Sequence, residues 1–252
     1  MYEHLLVSQA ESKLFKIVLN RPRQLNALAR QTIDELRQAL AEYESSEAAV
    51  LLLTGTGRAF CFGADFREFD DRNHLSDLLR NFQEMITSLY HCSKITVACL
   101  NGFATGAGMD LALACDFRLA DARVKMGEAY INMGLVCDGG GSYLLKRLVG
   151  LSQAMEMLLL GEAIPAEEAL KLGLIHRVYA AEDLQQRALE FAAQLAAKPQ
   201  TALRLLKNLL KGETTDLNAA LRREADAQKI CFEDDAHLSI LSDFLARRKK
   251  NG

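Results

Sequence analysis

The chain has 252 residues, with 30 Lys and Arg against 33 Asp and Glu, for a formal charge of −3. Half of the residues are hydrophobic and a quarter are charged, which are globular proportions and exclude a disordered chain. The mildly acidic balance offers no broad electrostatic footprint for nucleic acid or an anionic membrane, and no apolar run reaches the ~20 residues that cross a bilayer. The opening Met1-Tyr2-Glu3-His4 lacks the basic flank and apolar stretch of a secretion signal, so a cytoplasmic chain with free thiols is expected. None of the cysteines at 61, 92, 99, 115, 137 and 231 forms a CxxC pair, and they read as small buried hydrophobes. Cys61 and Cys137 stand beside Gly-rich segments and could line a pocket. The five His residues have no metal-ligand spacing, and no metal is expected.

Leu5–Ser8 and Leu14–Leu19 predict short strands, ended by Asn20-Arg21-Pro22-Arg23. Thr32 with Glu35 three residues later predicts a capping box opening a helix whose apolar face is Ile33, Leu36, Leu40 and Tyr43. Val50–Leu53 and Ile95–Leu100 are continuous apolar runs, as expected for strands buried on both faces. Ser76–His91 and Gly106–Cys115 predict helices, and Phe117–Ala120 a strand. This alternation implies an α/β core with crossover connections. Beyond Gly141 nearly every segment reads as helix: Ser142–Leu148, Ser152–Leu160, Pro165–Leu172, Leu184–Ala197, Pro199–Leu210, Leu217–Phe232 and Ala236–Arg247. Leu203, Leu206 and Leu210 form one apolar stripe. The basic run Arg247-Arg248-Lys249-Lys250 reads as a solvated tail or as a contact for phosphates.

Three segments could carry chemistry. In Arg58-Ala59-Phe60-Cys61-Phe62-Gly63-Ala64-Asp65, Gly63 lets backbone approach a ligand, although an ordinary turn with Asp65 as a helix cap is equally open. In Asn101-Gly102-Phe103-Ala104-Thr105-Gly106-Ala107-Gly108-Met109-Asp110, small residues at a helix start expose N–H groups that can hold an oxyanion or phosphate. Asp110 there could act chemically or simply favour the helix dipole. Leu111 breaks the dinucleotide-binding pattern that Gly106-Ala107-Gly108 would otherwise begin. In Gly134-Leu135-Val136-Cys137-Asp138-Gly139-Gly140-Gly141-Ser142, Asp138 is a lone carboxylate beside an apolar run, which suits a general base or a helix N-cap.

Together with Asn20-Arg21-Pro22, Leu25-Asn26-Ala27-Leu28, Leu111-Ala112, Cys115-Asp116 and Gly161-Glu162-Ala163-Ile164, these motifs resemble the enoyl-CoA hydratase/isomerase, or crotonase, family over nearly the whole chain. The resemblance implies an α/β, crotonase-like spiral of ββα units over 1–195, with a helical C-terminal trimerisation region over 196–252. It implies a homotrimer or hexamer, and an acyl-CoA thioester as partner. No cofactor is implied apart from the coenzyme A of that substrate. It implies an oxyanion hole at Ala64 and Ala107, coenzyme A contacts at Arg23, Phe62, Ala64, Asp65 and Phe66, and a substrate pocket at Tyr130, Met109 and Cys137. Hydratases of the family carry Glu at the positions of Asp110 and Tyr130. Here one acid is shortened by a methylene and the other is a phenol, a poor base at neutral pH. Asp138 resembles the acid of the family's dienoyl-CoA and epoxyphenylacetyl-CoA isomerases and of its aryl-CoA dehalogenases. The expected activity is therefore an isomerase with Asp138 as base and Asp110 as auxiliary. A hydratase using Asp110, or a catalytically weak acyl-CoA binder, are the alternatives.

Overall fold

The computed structural model describes residues 2–10, 13–69, 75–212 and 217–240. The basic run at 247–250 lies outside them. The first elements are β1 (Leu5–Ala10), β2 (Leu14–Leu19), α1 (Arg30–Ser45), β3 (Val50–Gly55), β4 (Ala59–Cys61) and α2 (Leu75–His91). They are followed by β5 (Ile95–Leu100), β6 (Phe103–Thr105), α3 (Ala107–Ala114), β7 (Phe117–Asp121) and β8 (Lys125–Gly127). The last are α4 (Gly141–Leu160), β9 (Ile164–Pro165), α5 (Ala166–Lys171), β10 (Arg177–Tyr179), α6 (Leu184–Ala196), α7 (Gln200–Lys211) and α8 (Leu217–Phe232).

The strands form two sheets. One has the order β1-β2-β3-β5-β7-β10 and is parallel except for the β1–β2 hairpin. The other has the order β4-β6-β8-β9. The pairs β3–β4, β5–β6 and β7–β8 each send their first strand to the large sheet and their second to the small one. A helix follows each pair, so the expected spiral of ββα units is present. The strands of the small sheet are two or three residues long, too short to leave a periodic signal in the sequence.

The large sheet is covered on both faces, which explains its unbroken apolar runs. Along β3, Leu51 and Leu53 face a core shared with Ile33, Leu36 and Leu40 of α1 and Met85 and Leu89 of α2. Val50 and Leu52 face the opposite side, against Leu184, Ala188 and Ala192 of α6. The capping box does not form. α1 begins at Arg30, so Thr32 and Glu35 already lie inside its first turns. The Thr32 hydroxyl meets His4 Nδ1 at 2.9 Å, and the Glu35 carboxylate accepts the backbone N–H groups of Glu3 and His4 at 3.0 and 2.9 Å. Both side chains thus fasten the start of β1 instead of the helix end. The two helices expected between 142 and 160 are one element broken at Gly150, where φ is 79°. Of the expected last helix only 236–240 is described, and it is helical. Among the described residues no helix is long and apolar enough to cross a membrane.

α7 is fastened by buried charge. Asp116 accepts from Lys207 and lies 2.7 Å from Lys211, both on α7, and also accepts the Thr96 N–H at 2.8 Å. Lys207 reaches the Lys94 carbonyl as well, at 2.6 Å. Removing one member of a buried pair leaves the other charge desolvated and uncompensated. Asp116→Ala is therefore expected to cost about 3–5 kcal/mol in urea unfolding, whereas the exposed Asp226, paired with Lys229, should cost about 1 kcal/mol or less.

Candidate active site

Two backbone turns face each other at the join of the sheets. After β4 the chain passes through Gly63, at φ 104°, to Ala64. Gly63 accepts the Leu28 N–H at 2.8 Å and Leu28 accepts the Asp65 N–H at 3.0 Å, so Ala64 points its own N–H the other way. After β6, Gly106 at φ 51° turns the chain into α3, whose first residue is Ala107. Among the described residues neither the Ala64 nor the Ala107 N–H has an acceptor. The turns are close: a Cβ on Gly63 would lie 3.9 Å from Ala107 N, and one on Gly108 would lie 2.1 Å from the Cys61 carbonyl oxygen. The Ala107 N–H also carries the positive end of the α3 dipole. At the other end of α3 the buried Arg118 guanidinium donates to the carbonyls of Ala112, Leu113 and Cys115, satisfying groups that a helix end leaves open.

Two cavities meet at these turns. A narrow one of about 160 Å³ is lined by Leu28, Ile33, Leu78, Leu79 and Phe82. A wider one of about 470 Å³ has Phe62, Phe66, Phe103, Tyr130 and Leu135 on its wall. Ala64, Ala107 and Asp138 line both. The structure thus brings together Asp138, Ala64, Ala107, Phe62, Phe66 and Tyr130. Other expected site residues stand elsewhere. Met109 is fully buried, packs into the main hydrophobic core and lines neither cavity. Cys137 is half-buried and absent from both walls. Asp65 does not reach the cavities: its carboxylate accepts the Arg67 N–H at 3.3 Å at the start of the short 3-10 helix Phe66–Phe69, as a cap does, and the Arg67 and Arg21 side chains clasp it and hold it far below the usual carboxylate range. Arg23 lies in a separate surface recess with Glu3, His4 and Asn20. Asp110 is wholly buried behind the cavity wall.

Behind that wall is an acid cluster. The Tyr130 hydroxyl is 2.6 Å from Asp110 Oδ2 and 2.8 Å from Asp138 Oδ1. It has one proton, so it donates to one carboxyl and must accept from the other. The Gly139 N–H donates to Asp110 Oδ2 at 3.2 Å. A fourth member, Glu128, has no solvent exposure. Sequence reasoning missed it because it follows the three-residue β8, and its one signal was an acid two residues before Tyr130. Burial raises the Asp138 carboxyl, with the Tyr130 hydroxyl opposing. It pushes Asp110 up to about 7. Burial, and then the neighbouring Asp110, hold Glu128 well above the carboxylate range. Two glycines of the run after Asp138, Gly139 and Gly141, stand against this cluster. A Cβ on Gly139 would lie 2.8 Å from Asp110 Oδ2, and one on Gly141 would lie 2.7 Å from Asp110 Oδ1 and 2.8 Å from Glu128 Oε1. Among the described residues no group of three or more His, Cys, Asp or Glu side chains is disposed to hold a metal ion.

Residues 9–251 match the profile of the enoyl-CoA hydratase/isomerase family. A crotonyl-CoA hydratase from Syntrophomonas wolfei is 33% identical, over 99% of this chain and 98% of its own. A 1,2-epoxyphenylacetyl-CoA isomerase from Escherichia coli is 34% identical, over 96% of each chain. A crystal structure of enoyl-CoA hydratase from Bacillus anthracis superposes with a TM-score of 0.93 at 30% identity, covering 97% of each chain.

Gly108→Ala separates two opposed effects. Helix propensity alone would make Ala at this position about 1 kcal/mol more favourable than Gly. The Cβ, however, would meet the Cys61 carbonyl at 2.1 Å with backbone on both sides. The expected outcome is a lower thermal midpoint and loss of acyl-CoA binding, measured by scanning calorimetry and titration calorimetry.

Proposed function

From the premise that this chain belongs to the enoyl-CoA hydratase/isomerase family, we propose that it is an acyl-CoA isomerase with Asp138 as its base. The observation that carries this reading is that Asp138 is the one carboxylate among the described residues on the walls of both cavities, which it shares with Ala64 and Ala107 and their open N–H groups. The thioester oxygen sits between the Ala64 and Ala107 N–H groups. Asp138 removes a proton from the acyl chain, the C–H electron pair passes into the thioester, and the enolate oxygen takes up negative charge. Each aligned donor at such an oxyanion is worth about 2.7–4 kcal/mol in the transition state. Asp138 then returns the proton to another carbon, so a double bond moves and the mass is unchanged. The apolar narrow cavity suits the acyl chain. The wider cavity, flanked by Phe62 and Phe66, suits the pantetheine arm, and Arg23 adds positive charge on the segment that continues to Ala27 and Leu28 at the cavity walls.

Hydration needs two groups at the substrate, one for water and one for the carbon that receives a proton. Asp110 lies behind the wall and Tyr130 is a phenol, which supports the one-base reading. The hydratase reading draws on relatives named as hydratases and requires Asp110 to reach the cavity. Incubation with 2-enoyl- and 3-enoyl-CoA thioesters followed by mass spectrometry separates them: unchanged mass with a shifted double bond supports the isomerase, and a gain of one water supports the hydratase.

The same reading extends to assembly as a homotrimer or a dimer of trimers. Leu148, Leu151, Met155 and Leu159 form an exposed apolar stripe on α4, and Leu206 and Leu210 are exposed on α7. Light scattering at micromolar concentration should find no stable 27.9 kDa monomer.

Asp138→Asn keeps the shape and removes the basicity. It is expected to lower isomerase kcat/KM by about 10²–10⁴-fold. In the wild-type protein kcat/KM should rise with pH, because the base acts only when ionised. The midpoint should lie above the usual carboxylate range, since burial raises the Asp138 carboxyl. A midpoint at that of an ordinary Asp would remove the desolvated base from the mechanism.

A further inference from the structure

Glu128 takes no part in the mechanism above, yet it is a wholly buried acid aimed into the active-site cluster. Both of its oxygens, and Asp110 Oδ1, are enclosed and have no hydrogen-bond donor among the described residues. Two carboxylates cannot satisfy each other, since both only accept. Asp110 Oδ1 and Glu128 Oε1 nevertheless converge, each within 2.8 Å of the point where a Gly141 Cβ would stand. A proton on Glu128 supplies the donor that Asp110 Oδ1 otherwise lacks, and each of the two acids acts on the other's carboxyl. None of the ion pairs among the described residues offers a Lys or Arg to these acids instead.

We propose that Glu128 is a positioning residue: it keeps its proton and donates to Asp110, setting a one-way chain of hydrogen bonds from Glu128 through Asp110 and Tyr130 to Asp138. In this chain Glu128 donates to Asp110 Oδ1, and a proton on Asp110 Oδ2 donates to the Tyr130 oxygen across 2.6 Å. The Tyr130 hydroxyl then donates to Asp138 Oδ1 across 2.8 Å. Three protons serve four groups, so the cluster carries one negative charge. Its place is the outer end, on Asp138, the one of these three acids and one phenol that is both a carboxylate and part of the cavity wall. Each donor in the series polarises the next, which strengthens the last bond and keeps Asp138 ionised despite its partial burial. The titratable groups that act on Glu128 are Asp110 from α3 and Cys137 and Asp138 from the loop ahead of α4, and burial together with Asp110 favours its protonated form. Tyr130, two residues along its own segment, is the remaining one that takes part.

The inference rests on Asp138 being the base, and its test has two readouts so that the two claims can fail separately. The first is the infrared C=O stretch of a protonated carboxyl in mildly alkaline buffer. It should be present in the wild-type protein and diminished in both Glu128→Gln and Glu128→Met; its absence from the wild type, or an undiminished intensity in both variants, overturns the proposal. The second is the pH profile of isomerisation. Gln still donates an N–H to Asp110, whereas Met has a similar reach and no donor. Glu128→Met should move the midpoint of kcat/KM upward by about one pH unit, lowering the acid-side rate about tenfold at unchanged KM, while Glu128→Gln stays close to wild type. A Met variant that titrates like wild type, or a Gln variant as impaired as Met, overturns the proposal. If the wild-type protein isomerises no 3-enoyl-CoA, the isomerase reading fails alone and the infrared result decides the protonation of Glu128.

Discussion

The contact on which the site depends is the approach of the α3 N-terminus to the end of β4. Gly108 lies so near the Cys61 carbonyl that no side chain fits between them. That approach sets the open N–H of Ala107 beside the open N–H of Ala64. It also lowers Asp110, one turn into the same helix, into the space behind the cavity wall. Both donors are backbone groups held by sheet pairing on one side and by a helix start on the other, so neither has a rotamer to lose. Such preorganisation is what makes dipoles effective toward a charge that appears only in the transition state.

The sequence exposed long elements and hid short ones. β3 and β5 announced themselves as apolar runs, and the glycines at 63 and 106 marked turns that the structure places face to face. The small sheet was illegible, because strands of two or three residues give no alternation to count. α3 was legible as a helix but its orientation was not. With all eight residues enclosed, nothing in the pattern separates Met109, turned into the core, from Asp110, turned toward the acids. Thr32 and Glu35 have capping-box spacing, yet their partners lie in the N-terminal strand, a tertiary contact that local pattern does not carry. Glu128 was hidden for a related reason. A buried acid is explained only by the partners that the fold brings to it.

The acid cluster shows how burial can be tolerated. Under the proposed arrangement Glu128 and Asp110, both raised by burial, keep their protons and each donates to the next group, while Asp138 at the cavity stays ionised. The glycines at 139 and 141 leave room for this arrangement where any side chain would displace a carboxyl oxygen.

Asp138 itself is mounted differently from the two N–H donors. It stands on the irregular segment between the Ala129–Met133 turn and α4, where Met133 and Val136 are exposed. Its own carbonyl is held from outside by the Gln83 side chain at 3.2 Å. The two open N–H groups are therefore fixed by sheet and helix, whereas Asp138 is carried on an irregular segment that belongs to neither. A substitution on that segment can replace the carboxylate and leave both N–H groups in place, because the two are carried by separate stretches of chain.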